Sequence, residues 1–226
     1  MSKKLIVWAA LSLVVLMVCR AEDAATGGEA SKEDLSYAVG VLLGRDFKKS
    51  DLKLDYAVLA EAMRRTIESE DAGMTDEAAA LIVRGALQSA QEGLRKANLE
   101  KSAAFLAENA LRSGVRVTES GLHYELVEQG NGARAARNMV ARVKYTGSLI
   151  DGTVFDRNAD EEAGAEIPLS QVIPGFAEGV ALMNVGGRAK LFIPPPLAYG
   201  EEGAGEDIPP NSVLVFDVEL LGVEEP

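Results

Sequence analysis

The chain has 226 residues and carries 35 acidic against 23 basic side chains, a formal charge of −12. Nucleic-acid phosphates and anionic lipid both attract clustered Lys and Arg, so neither is an expected partner of the folded chain. Hydrophobic residues at 47% can support a real core, and the length suits one medium domain plus a smaller one.

Residues 1–21 read as a signal peptide. Lys3 and Lys4 form a basic start, and Leu5 to Val18 is apolar apart from Ser12. That run is shorter than the roughly 20 residues a membrane-spanning helix needs, but it fits the apolar centre of a leader. Cleavage after Ala21 places Cys19 and Ala21 at the small-residue positions. Cys19 is the only cysteine, so no intramolecular disulfide can form. A lipoprotein with acylated Cys19 is the open alternative: Leu16 fits it, whereas Val18 is bulkier than the residue usual there. The protein is therefore expected to be exported, and to touch a membrane only if Cys19 is lipidated. Residues 22–30 are small, polar and acidic, a linker with too little apolar surface to fold.

Residues 31–74 read as a helical region. Ser31 and Asp34 have capping-box spacing, and Leu35, Val39, Leu42 and Leu43 recur on one face of a helix expected to end between Gly44 and a point shortly after Phe47. Asp55 caps a second predicted helix from Tyr56 to about Ser69, with Leu59, Met63 and Ile67 on its buried side. Gly73 breaks the pattern. Thr75 then caps a long helix with Asp76 and Glu77 at its positive end. No proline interrupts the segment before Arg112, so residues 75–114 are predicted to form one connecting helix of about 55 Å at 1.5 Å per residue. Gly114 is its expected stop. Such a helix is read as a charged, solvated arm unless a second copy packs near its N-terminal end, around Ala78–Ala80, Leu81, Ile82, Leu87 and Leu94.

After Gly114 the period changes from helical to alternating. Leu122, Tyr124 and Leu126 alternate with His123 and Glu125, which places His123 on the expected solvent side of a strand. Met139, Ala141, Val143 and Tyr145 share a strand face, and Asp151-Gly152 between two β-rich runs predicts a hairpin. Ala189, Leu191 and Ile193 alternate, as do Leu214, Phe216, Val218 and Leu220. Only Phe176 to Met183 reads as helical here. The fold class is α+β: an N-terminal all-α region, a long helix, then an antiparallel sheet (residues 115–226) laid over one short helix. His123 is the sole histidine and has no clustered ligands, so no metal and no cofactor are expected. Gly186-Gly187 is a turn without a phosphate-loop pattern around it.

Three pieces carry the chemistry. They are Tyr145-Thr-Gly-Ser-Leu-Ile-Asp-Gly-Thr-Val-Phe-Asp156, Val172-Ile-Pro-Gly-Phe-Ala-Glu-Gly-Val180, and Leu197-Ala-Tyr-Gly200 followed by Ile208-Pro-Pro210. Each brings aromatic or branched side chains to a tight turn with one or two polar atoms among them, a composition suited to an apolar pocket. On spacing alone, Tyr145, Phe155 and Phe216 read as strand-face core, and Asp156 as a solvated turn residue.

Together, in this order, and with the closing run Val213 to Leu221, the pieces resemble the FKBP-type peptidyl-prolyl cis–trans isomerases over roughly residues 115–224. The helical stretch before them resembles the dimerisation region of the Mip/FkpA subfamily from bacterial cell envelopes. The resemblance implies a catalytic group of Tyr145, Phe155, Asp156, Ile173 and Tyr199. Val172, Phe176, Ile208 and Phe216 would bind substrate. In it Tyr145, Phe155, Val172, Ile173 and Phe216 wall a proline pocket with Phe176 as floor, while the Ile173 N–H and the Tyr199 hydroxyl donate to substrate carbonyls. Asp156 would hold Tyr145 at the rim, and Ile208 would cap the pocket. It further implies a homodimer through residues 31–74, clients that are unfolded or proline-containing polypeptides, and a periplasmic or outer-membrane-associated location in a Gram-negative-type bacterium. The sequence departs from the family at Phe176, where many members have tryptophan, at Ile167, where an aromatic is common, and in the acidic loop Glu201 to Asp207. The alternative reading is a proline-binding holdase chaperone whose turnover is incidental.

Overall fold

The computed structural model describes residues 31–50, 52–68, 73–160 and 163–225. The leader, the linker, Trp8 and Cys19 lie outside them. The described chain forms two compact units that divide between Ala90 and Gln91.

The first unit is helical. Helix α1 spans Lys32–Ser50 and α2 spans Tyr56–Glu68, and α3 begins at Asp76. The starts are capped as expected. The Asp34 N–H donates to Ser31 Oγ (3.1 Å), the Ala57 N–H to Asp55 Oδ1 (2.9 Å) and the Ala78 N–H to Thr75 Oγ1 (3.3 Å). Helix α1 runs through Gly44 and ends at Ser50, at the later limit of its expected end, because one glycine costs only about 1 kcal/mol and no proline follows. The expected buried side of α2 is a correction. Met63 and Ile67 are exposed, Leu59 is half-buried, and α2 buries none of its residues. Leu35, Val39 and Leu42 on α1 are exposed as well. Among the described residues of one chain nothing covers these apolar stripes.

Helix α3 continues as one element from Asp76 to Asn109, so its later turns belong to the second unit, which begins at Gln91. There the solvated-arm reading is corrected. Ser102 and Asn109 are buried, and the Phe105 ring meets Phe192 of the sheet at 5.9 Å between centroids. Phe192 and Ile193 are adjacent in one strand and both buried, since Phe105 of α3 packs on Phe192 from one side and the core holds Ile193 on the other.

The sheet has seven strands: β1 (Val115–Val117), β2 (His123–Glu128), β3 (Val140–Leu149), β4 (Val154–Arg157), β5 (Ala165–Pro168), β6 (Arg188–Ile193) and β7 (Leu214–Glu224). Its order is β1-β2-β6-β7-β3-β4, with β5 also paired to β3, and every pairing is antiparallel. The Asp151-Gly152 turn joins β3 to β4, with Gly152 at φ 89° and the Thr153 N–H donating to Asp151 Oδ1 (2.9 Å). That bond is the largest cause holding the Asp151 carboxyl below its ordinary range.

Short helix α4 (Pro174–Ala181) lies over the concave face, with Pro174 at its first position. Its Phe176, Ala177 and Val180 join Leu191, Ile193, Leu214, Phe216 and Leu220 in one core. Glu178 ties α4 down from outside: it accepts from Ser120 Oγ (2.7 Å) and pairs with Arg137 (2.9 Å). Burial pushes the Glu178 carboxyl up, but bonds from Ser120 and Thr118 and the charge of Arg137 outweigh it and hold the group low.

His123 is a further correction. It is buried, not solvent-facing, because the end of α3 covers that face of β2. Asn109 Nδ2 lies 3.3 Å from His123 Nδ1, so the neutral ring accepts there, and burial pushes its pKa down. No group of three or more potential ligands that could hold a metal occurs among the described residues.

Candidate active site

Four aromatic rings set the geometry at the open end of the core. Phe216 on β7 lies at the centre, with ring centroids 5.1 Å from Phe176, 5.6 Å from Phe155 and 6.0 Å from Tyr145. The first two contacts are edge-to-face at 70° and 81°, arrangements worth about 0.5–1.5 kcal/mol each beyond area burial. Period-two alternation brings Tyr145 and Phe216 to the same face of neighbouring strands, whose register pairs Tyr145 with Val218 and Gly147 with Phe216. Gly147 is what lets Phe155 and Phe216 meet, since a Cβ there would stand 2.7 Å from the Phe155 ring and 2.8 Å from that of Phe216.

These rings line a cavity of about 620 Å³ together with Asp156, Ile167, Gln171, Val172, Ile173, Tyr199, Ala204, Asp207 and Ile208. All nine residues singled out in the sequence lie along it: Tyr145, Phe155, Asp156, Val172, Ile173, Phe176, Tyr199, Ile208 and Phe216. Phe176 and Ile208 are buried, while Tyr199 is 42% exposed at the mouth. Tyr145 Oη donates to Asp156 Oδ2 at 2.7 Å, and this holds the tyrosine ring upright against the wall. Ile173 precedes α4 with non-helical backbone angles (φ −55°, ψ 141°), and its carbonyl accepts from the Phe176 and Ala177 N–H groups.

Sequence reading missed Gln171 in the lining and Asn158 behind it; Ala204 and Asp207 belong to the acidic loop already noted in the sequence. Buried Asn158 stitches the exit of β4 to β3. Its Oδ1 accepts from the Tyr145 N–H (2.7 Å), its Nδ2 donates to the Val143 carbonyl (3.0 Å), and its own N–H donates to the Tyr145 carbonyl (3.1 Å). A buried amide needs such partners, and here they lie on β3, thirteen to fifteen residues earlier in the chain.

The arrangement offers an apolar hollow with two carboxylates at its edge and, among the described lining residues, no Lys or Arg. It can bind, desolvate and orient an uncharged group.

The comparisons agree with that geometry. A family model described as FKBP-type peptidyl-prolyl cis-trans isomerase matches residues 132–221, and one described as the domain amino terminal to it matches residues 32–126. The chain is 42% identical over 207 residues to a probable FKBP-type peptidyl-prolyl cis-trans isomerase FkpA of Neisseria meningitidis serogroup B, covering 87% of this chain and 76% of that one. It is 34% identical to the outer membrane protein MIP of Legionella longbeachae over 100% of this chain and 99% of the relative. The crystal structure of FkpA from Escherichia coli matches with a TM-score of 0.70 at 32% identity, covering 88% of this chain and 99% of that one. With family models matching both of its portions and relatives of 34–42% identity over most of its length, the chain belongs to the FKBP-type peptidyl-prolyl cis–trans isomerases.

Proposed function

We propose that the cavity lined by Tyr145, Phe155, Phe176 and Phe216 takes the proline ring of an X–Pro bond and lowers its rotation barrier, in polypeptides crossing into or residing in a bacterial envelope. The barrier is ~18–20 kcal/mol because resonance gives the C–N bond partial double-bond character. The two isomers lie within about 1 kcal/mol, so no covalent step is required. A site that binds the twisted amide better than either planar form accelerates exchange in both directions. Water stabilises the charge-separated planar amide, and an aromatic wall removes that water. The Ile173 N–H and the Tyr199 hydroxyl would donate to carbonyls flanking the proline, and Ile208 would cover the bound ring. Asp156 would fix Tyr145 and place a negative charge at the edge.

The convergence of four aromatic rings and two candidate donors on one hollow of about 620 Å³ carries this reading. The volume falls in the range for a ligand of a few residues. Residues 91–226 would be the isomerase portion and residues 31–74 a dimerisation region whose exposed stripes meet those of a second copy. Export rests on the basic and apolar run at residues 1–21, and the envelope location on relatives such as the outer membrane protein MIP.

A protease-coupled proline-peptide assay on full-length wild type and Phe155→Ala, beside an aggregation-suppression assay, tests the reading. Phe155→Ala is expected to lose nearly all catalysed isomerisation, and unchanged turnover in it would end the pocket assignment. Suppression that persists after isomerisation is lost would place any holding activity elsewhere on the chain.

A further inference from the structure

The cavity's mouth is formed by the segment from Tyr199 to Asn211, which contributes Tyr199, Ala204, Asp207 and Ile208 to its lining. The segment braces itself at two levels. Its tip is closed by paired bonds between Ala204 and Ile208 (2.8 and 3.1 Å), and its base by the Asn211 N–H donating to the Gly200 carbonyl (2.8 Å). These bonds are internal, so they shape the segment without saying where it stands over the pocket.

That placement comes from α3. Ser102 Oγ donates to the Asn211 carbonyl at 2.6 Å, and Asn98 Nδ2 donates to the Pro210 carbonyl at 2.9 Å. In return Asn211 Nδ2 donates to the Arg95 carbonyl at 3.1 Å. Ser102 and Asn211 are both buried. Asn211 is also the one non-glycine residue with positive φ among the described residues, at 55°. Asparagine tolerates that conformation better than most side chains, yet holding it there still requires surrounding contacts. The outermost link is the exposed Arg95–Glu202 pair at 3.4 Å, which contributes little.

We infer that Asn98, Ser102 and Asn211 are positioning residues for proline-peptide turnover: the last turns of α3 hold the segment 199–211 so that Tyr199 and Ile208 stand over the cavity. None of the three lines the cavity. The inference rests on the proposed roles of Tyr199 and Ile208. Without the anchor, the segment occupies its productive placement only part of the time. Apparent affinity then falls by that fraction, while the placed fraction turns over normally.

The experiment is steady-state isomerisation of a proline tetrapeptide by full-length wild type, Ser102→Ala and Asn98→Ala, with hydrogen exchange read across residues 199–211. Loss of one buried hydrogen bond should raise KM by about three- to tenfold, leave kcat near wild type, and speed exchange in the segment but not in β3 or β7. A variant that merely folds less well would lose kcat per mole at constant KM, and that result overturns the inference, as does an unchanged KM in both variants. Tyr199→Phe and Ile208→Ala are run alongside. If they impair turnover while Ser102→Ala and Asn98→Ala do not, only the positioning role falls. If they too are silent, the reading of the cavity falls with it.

Discussion

The Tyr145 hydroxyl donates to Asp156 Oδ2 at 2.7 Å, bridging β3 and β4 beside the one glycine, Gly147, that lets Phe155 reach Phe216. Asp156 is exposed and the bond closes at the cavity's edge, so its loss should act on the site more than on folding. Tyr145→Phe is expected to lower kcat/KM by about three- to tenfold with little change in Tm. Asp156→Asn, which keeps an acceptor, should cost less. The double variant should be no worse than Tyr145→Phe, because both changes act on the same bond. Additive losses in the peptide assay would show that the two residues act separately.

Asp156 and Asp207 line the cavity and no Lys or Arg does so among the described residues. Peptides with lysine beside proline should therefore be turned over faster than those with glutamate there. Asp207→Asn should shrink that ratio by about 1.5- to fivefold, the size expected of exposed charges. Raising salt from 10 mM to 1 M should shrink it as well, since the screening length falls from about 30 to about 3 Å. A ratio indifferent to both would remove the acidic edge as a selector.

Leu42 on α1 is 60% exposed and Ile67 on α2 is 81% exposed. Stripes of this kind on short helices are expected to be covered by a second copy, so light scattering on the mature protein should report a dimer. Leu42→Glu with Ile67→Glu should give a monomer that still isomerises short proline peptides, because both positions lie outside the unit that starts at Gln91. A monomeric wild type at micromolar concentration would rule the dimer out.

His123 is buried beneath the end of α3, and burial alone holds its pKa below the ordinary 6.5. A lowered folded pKa means that the unfolded chain binds the proton first. Stability is then full above pH 6.5 and is lost as pH falls from there through the folded pKa. Urea midpoints should drop over that interval in wild type and stay flat over it in His123→Gln, which starts from a lower but pH-independent value. An equal slope in both would move the effect to carboxylates.

The local sequence determined the elements and most of the hollow. Capping residues Ser31, Asp55 and Thr75 start helices α1, α2 and α3 because a side-chain acceptor answers N–H groups that no earlier turn can satisfy. Asp151-Gly152 turns the hairpin, and alternation puts Tyr145 and Phe216 on one face of neighbouring strands, whereas Phe155 joins them at the register shift between β3 and β4. Tertiary structure alone decided what covers the second face of that sheet. In sequence, the turns of α3 from Gln91 to Asn109 look as charged as those before them. A period-3.6 pattern records how much of a helix is apolar, not which neighbour its few polar residues will find across a hundred positions of chain. Ser102 finding the Asn211 carbonyl, Asn109 finding His123, and Asn158 finding both sides of Tyr145 are long-range pairings of buried polar groups. Those pairings exist only because burial leaves each group no water to bond with.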